Sequence, residues 1–199
     1  MYLSKVIIQN AWCRDAYQFH QALWQLFPSQ TEQKRDFLFR VEARNPGRGC
    51  DVLLQSMVAP ESSTAAQVLA CKPIALHLEE GTQLRFRLRA NPIKTIKDEQ
   101  QRFNGKGQIK RCRVPLLKEQ EQHQWLARKL SLAASVERVE SANELPLFFS
   151  KNGADGKIQP VNFEGILTVA DAPALLALLK NGIGPAKAMG CGLLSIARA

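Results

Sequence analysis

The chain has three histidines, and their surroundings sort them. His77 falls opposite Ile74, Leu76 and Leu78 in a strand predicted over residues 74–78, which turns it to solvent. His123 shares one apolar helical stripe with Leu116, Leu126, Ala127 and Leu130, the setting of a packing histidine. His20 differs. In the helix predicted from Asp15 to Phe27, the residues Ala16, Phe19, Leu23, Leu26 and Phe27 make the core stripe. Tyr17, His20 and Trp24 line its flank at three- and four-residue spacing. An imidazole titrating at about 6.5 can give or take a proton at neutral pH, and a phenol one turn away can orient it or an anion. From that flank both can face a cleft. The spacing equally allows the two to hydrogen-bond each other at a domain seam.

A second set of residues calls for an anionic partner. The formal charge is +9 over 199 residues, and its distribution says more than its total. Between Arg85 and Arg113 stand ten basic residues against two acidic ones, Asp98 and Glu99, so the remainder of the chain is nearly neutral. The strand Leu84-Arg85-Phe86-Arg87-Leu88-Arg89 alternates with period two, which sends Arg85, Arg87 and Arg89 to one face, about 6.6 Å apart. Such a row can read phosphates. It can also be a sheet face balanced by acids, although no acidic run of equal length accompanies it. The segment carrying Lys94, Arg102, Lys106, Lys110, Arg111 and Arg113 reads as a flexible glycine-bearing tip followed by a basic strand, fit to track a phosphate backbone. A surface loop with no partner is the plain alternative.

Near the C-terminus, Gly182, Gly184, Lys187, Gly190 and Gly192 form a loop between a helix and a short apolar strand. Successive backbone N–H groups beside a lysine can seat phosphate oxygens. The glycines can equally serve close packing of the last strand.

These sets converge on RNA. A ribose 2′-OH is a built-in nucleophile, so cleavage needs one proton shuttle, one anion-stabilising donor and enforced in-line geometry. No metal-ligand spacing and no cofactor motif is present, so neither a metal nor a cofactor is expected. An enzyme for a small phosphorylated ligand is disfavoured, because the loop lacks Gly-Lys-[Ser/Thr] and no G-x-G-x-x-G opens a helix. A non-catalytic RNA hairpin-binding assembly protein is the rival that would use the same basic surface.

The elements that must hold these residues read as α+β. Strands are predicted at residues 2–9, 37–44, 50–57 and 74–78, with a short helix over 63–71 between the last two, giving the β-α-β-β-α-β order of a ferredoxin-like unit. A second such unit follows from strands at 83–90, 135–138, 148–149, 161–169 and 193–197. Its helices are predicted at 115–132 and after Asp171, the latter capped by Asp171 and stopped by Asn181-Gly182. The units are set at 1–80 and 81–199, with a cleft between them and the charged stretch as the link. Five cysteines without C-x-x-C spacing read as reduced thiols. No apolar run approaches a membrane span and the start lacks a signal-peptide core, so a cytoplasmic protein is expected.

Several segments together resemble the CasE family of CRISPR-associated endoribonucleases, the Cse-type repeat-RNA processing subunits of the type I-E Cascade complex. They are Met1-Tyr-Leu-Ser-Lys-Val-Ile-Ile8, Tyr17-x-x-His20, Phe86-Arg-Leu-Arg-Ala-Asn-Pro-Ile-Lys-Thr95, Lys110-Arg-Cys-Arg-Val-Pro115 and the loop from Gly182 to Leu194. The resemblance implies tandem ferredoxin-like domains that bind the hairpin of CRISPR repeat RNA. It implies metal-independent cleavage on the 3′ side of the stem base, a 2′,3′-cyclic phosphate and a 5′-OH. It also implies retention of the mature crRNA within Cascade, alongside other subunits. The family's catalytic histidine and tyrosine fall on His20 and Tyr17, and its hairpin-binding surface on Arg102 to Arg113. Some members use a lysine of the second domain, for which Lys157 is the candidate.

Overall fold

The computed structural model describes residues 1–30, 36–98, 100–103, 105–151 and 154–199. Asn104 of the expected tip and Gly153, near Lys157, lie outside them. The first unit runs β1 (Tyr2–Gln9), α1 (Ala16–Trp24), β2 (Phe37–Asn45), β3 (Gly49–Ser56) and β4 (Ala66–Pro73). The second runs β5 (Gln83–Ala90), β6 (Ile93–Lys97), β7 (Arg111–Pro115), α2 (Glu119–Leu130), β8 (Ala134–Asn143), β9 (Leu147–Lys151), β10 (Ala154–Ile158), β11 (Val161–Val169), α3 (Ala172–Asn181) and β12 (Leu194–Arg198).

Two antiparallel four-stranded sheets result, in the orders β2-β3-β1-β4 and β12-β5-β11-β8. Each places its first strand centrally between its third and fourth, the ferredoxin-like order, so the fold is a tandem of such units. The first core packs Phe19, Leu23 and Leu26 of the α1 region onto Val6, Ile8, Phe39 and Leu54. The second packs Trp125 and Leu126 of α2 and Leu175 and Leu179 of α3 onto Phe86, Leu88, Phe163 and Leu167. Burying these apolar faces is the dominant favourable contribution.

Strand β2 explains the seam. Phe37, Leu38, Phe39 and Arg40 are all buried, because this strand is covered on both faces. Phe37 and Phe39 belong to the α1 core. Arg40 points the other way, donating to the Ser195 hydroxyl at 3.0 Å and the Arg87 carbonyl at 3.3 Å. Gln55 of β3 adds a buried bond to the Leu179 carbonyl at 2.7 Å.

Three expectations are corrected. Residues 63–71 form no helix: the Ser63 hydroxyl accepts from the Ala65 and Ala66 amides in a turn, and Ala66–Pro73 then pairs with β1. Alanine favours helix by only tenths of a kcal/mol over most residues, which the ladder offered by the open edge of β1 outweighs. Residues 74–78 consequently form no strand. Leu76 and Leu78 instead pack against the second core, and His77 is exposed. The link between units is therefore the segment from residue 74 to 82, and the charged stretch lies inside the second unit as β5 and the β6–β7 hairpin. His123 approaches the Ser141 hydroxyl at 3.1 Å.

Candidate active site and nucleic-acid interface

Helix α1 begins where the Asp15 carboxylate accepts the amides of Tyr17 and Gln18, both at 2.8 Å, satisfying donors a helix start leaves open. Phe19, Ala22 and Leu23 bury its inner face. Tyr17 is 58 % exposed, and His20, half-buried one turn later, sits on the flank. Its ring lies 5.9 Å from Phe37 and meets Trp24 edge-on at 6.2 Å. Trp24 and Phe37 are themselves in edge contact at 5.3 Å, so an aromatic corner fixes the imidazole's place. The helix also packs against β9 and against the 3-10 turn Lys187–Met189 of the glycine loop. Lys157, exposed on β10, stands opposite Phe148 of β9 with its Nζ 5.6 Å from that ring's centre. Thus β9 connects the candidate lysine's hairpin to the histidine's helix.

The glycine loop is a seam. Gly182 has φ 73°, and a Cβ there would stand 2.8 Å from both methyls of Leu38. Gly190 has φ 76°, and its Cβ would meet the Phe39 ring at 3.0 Å. Gly184 lies against Trp125, and Gly192 donates its amide to the Arg89 carbonyl at 2.7 Å. Lys187 donates to the Asn181 carbonyl at 2.6 Å, at the end of α3.

The three arginines of β5 do not make an open row, which corrects that expectation. Arg85 is exposed and donates to the Arg198 carbonyl at 3.1 Å. Arg87 bridges Glu42 and Glu164, each at 2.9 Å. Arg89, only 5 % exposed, grips Glu144 through two nitrogens and holds the Met189 and Gly190 carbonyls at 2.9 and 3.2 Å. Burial, the largest single influence, works against the Arg89 charge, but the Glu144 hydrogen bonds together with the charge interactions of Cys191 and Glu144 outweigh it and raise its affinity for the proton. Burial likewise pushes Glu144 up, and Arg89 with Asn162 more than reverses this, leaving the carboxylate below its ordinary value. The balancing acids come from β2, β11 and the turn after β8, so no local acidic run announced them.

The β6–β7 hairpin has the opposite character. Its register pairs Thr95 with Arg113 and Lys97 with Arg111, so these four share one face. Lys97, Arg111 and Arg113 are exposed and make no ion pair among the described residues. Lys94, on the other face, meets Glu121 at 3.0 Å. Beyond the strands, the Arg102 guanidinium forks onto buried Asp98 at 2.8 and 2.9 Å while the Arg102 amide reaches the same carboxylate. Those bonds hold the Asp98 carboxyl well below the usual range. Backbone bonds from Asp98 to Lys110 and from Lys110 to Arg102 close the base of the tip. Lys106 and Lys110 are exposed there.

Between the N-terminus of α1, β2 and the β8–β9 connection lies a cleft of about 560 Å³. Phe19 and Phe39 form its floor, and Arg14, Arg44, Leu145 and Phe148 reach it.

A profile of the CRISPR associated protein family matches residues 1–198. The chain belongs to that family. It is 60 % identical over 197 residues to the CRISPR system Cascade subunit CasE of Escherichia coli strain K12, covering 99 % of each chain. The crystal structure of the CRISPR-associated protein Cas6e from the same strain superposes with a TM-score of 0.89 at 59 % identity over the whole of both chains. A structure of the CRISPR endoribonuclease Cse3 bound to a 19-nucleotide RNA superposes at 0.77, with 32 % identity over 99 % of this chain and all of the other.

Within this CRISPR associated protein, sequence reasoning left Lys97 out of the candidate surface and passed over Arg14, Arg44 and Phe148. The β-branched residues Ile93, Thr95 and Ile96 would have revealed β6 and so the shared face of Lys97 and Arg111. Nothing local marks the cleft residues. They meet only because β2, α1 and β9 converge.

Proposed function

We propose that this chain is an endoribonuclease of the CasE type. It binds the hairpin of CRISPR repeat RNA, cuts precursor crRNA on the 3′ side of the stem base without a metal, and keeps the product as a Cascade subunit. The exposed face of Lys97, Arg111 and Arg113, with Lys106 and Lys110 at the tip, binds stem phosphates by charge and shape. The 2′-oxygen attacks the neighbouring phosphorus while the bond to the 5′-oxygen breaks, leaving a 2′,3′-cyclic phosphate and a 5′-OH. His20 either takes the 2′-OH proton or protonates the leaving oxygen. Tyr17, one turn away, orients the imidazole or the phosphate, and Lys157 offsets developing charge. The glycine loop braces the seam behind them. The two units are taken as 1–80 and 81–199, and the protein works in the cytoplasm.

One observation carries this reading: exposed Tyr17 and half-buried His20 stand on one flank of α1, in a chain whose second unit carries an open basic hairpin. The test is repeat RNA incubated in excess EDTA. Wild type makes one cut, whereas His20→Ala slows it by about 10²–10⁴-fold and binds the hairpin as before. Full-rate cleavage by His20→Ala removes the imidazole from the mechanism.

A further inference from the structure

The 560 Å³ cleft contains neither Tyr17 nor His20 and none of the exposed cations of the hairpin. Its acids are all engaged. Asp15 caps α1, Glu42 holds Arg40 and Arg87, and Glu144 holds Arg89 and Asn162. Of its basic groups Arg89 is likewise taken, by Glu144, but exposed Arg14 makes no ion pair among the described residues. Arg44 hydrogen-bonds the Cys13 carbonyl at 3.5 Å and the Cys50 sulfur at 3.9 Å, and its charge helps lower Glu144 without forming a salt bridge to it. The cleft sets three arginines against three acids, yet Arg14 and Arg44 make no salt bridge among the described residues and remain available to an anion.

On the same rim Phe148 is 71 % exposed and Leu145 86 % exposed. Lys157 adds a cation beside the Phe148 ring. An open aromatic face among uncommitted cations matches a nucleotide, whose base stacks and whose phosphate is an anion.

We infer that this cleft is a subsite for one nucleotide of the unpaired RNA flanking the stem, its base on Phe148 and its phosphate on Arg14 and Arg44. The inference rests on the endoribonuclease reading and extends it from the stem to the single strand. A neighbouring strand end is anchored because β9, which carries Phe148, also packs against the helix of His20.

The experiment uses repeat RNAs blocked by a 2′-deoxy at the cut, with 2-aminopurine placed in turn at each unpaired position, and a blunt hairpin without flanks. Wild type and Phe148→Trp should quench one position, and Phe148→Ala should not. Phe148→Ala should bind the flanked RNA about tenfold more weakly and the blunt hairpin unchanged. Arg14→Ala with Arg44→Ala should lower the salt slope by about 0.7, one single-strand phosphate contact, for flanked RNA alone. Equal losses on blunt and flanked RNA, no loss on either, or no quenched position would overturn the subsite while leaving the endoribonuclease reading intact. Wild-type protein that ignores the hairpin altogether would overturn both.

Discussion

Strand β5 and the β6–β7 hairpin are both basic in sequence, and the fold gives them opposite work. On β5, Arg87 and Arg89 are tied to Glu42, Glu164 and Glu144, and Arg89 also ties down the glycine loop. On the hairpin, Lys97, Arg111 and Arg113 face solvent. A guanidinium is a fastener where distant acids converge on it and a docking point where none do. Charge counted along the chain cannot separate these cases, because the deciding carboxylates lie from 45 to 77 residues away in sequence.

That contrast is broken or sharpened by four measurements. The largest effect is expected from Arg89→Ala, which leaves Glu144 and two loop carbonyls without their donor. Denaturant unfolding should show a loss of about 3 kcal/mol, and an unchanged midpoint would return Arg89 to the RNA surface. Next, Arg111→Ala with Arg113→Ala should leave unfolding within about 0.5 kcal/mol of wild type. Its affinity for any hairpin should drop, with the salt slope shallower by about 2; a preserved slope would show those side chains idle.

The third measurement is acid titration. The Glu144 carboxylate is held below its ordinary value, so its contribution is fully present above the unfolded-state value. It disappears as pH falls through the lowered one. Wild type should therefore lose stability below about pH 5 more steeply than Arg89→Ala, as followed by circular dichroism. Parallel acid limbs would contradict the pairing. The smallest effect is reserved for Asp98→Asn. Global unfolding should hold, while hydrogen exchange at the amides of Arg102 and Lys110 quickens as the tip's base loosens. Unaltered exchange would mean the fork does not secure the tip.

Much of the scaffold was legible beforehand. Residues 2–9, 83–90 and 161–169 carry their strands in their own alternation, and Asp171 with Asn181-Gly182 brackets α3. The alanines near residue 66 misled because a weak local preference was set against an edge supplied by β1, sixty residues earlier. The flank position of Tyr17 and His20 was legible from helical spacing, although a role for them was not. The fate of Arg89 and the assembly of the cleft were not, since each depends on which strands become neighbours.

The join between the two halves is filled by hydrogen atoms where other proteins place methyls, at Gly182 against Leu38 and at Gly190 against Phe39. Even alanine would act there as a wedge, so the mutual orientation of the sheets has almost no room to drift by small steps. A change of partner would have to be absorbed by segments outside the join, because the frame itself is effectively frozen.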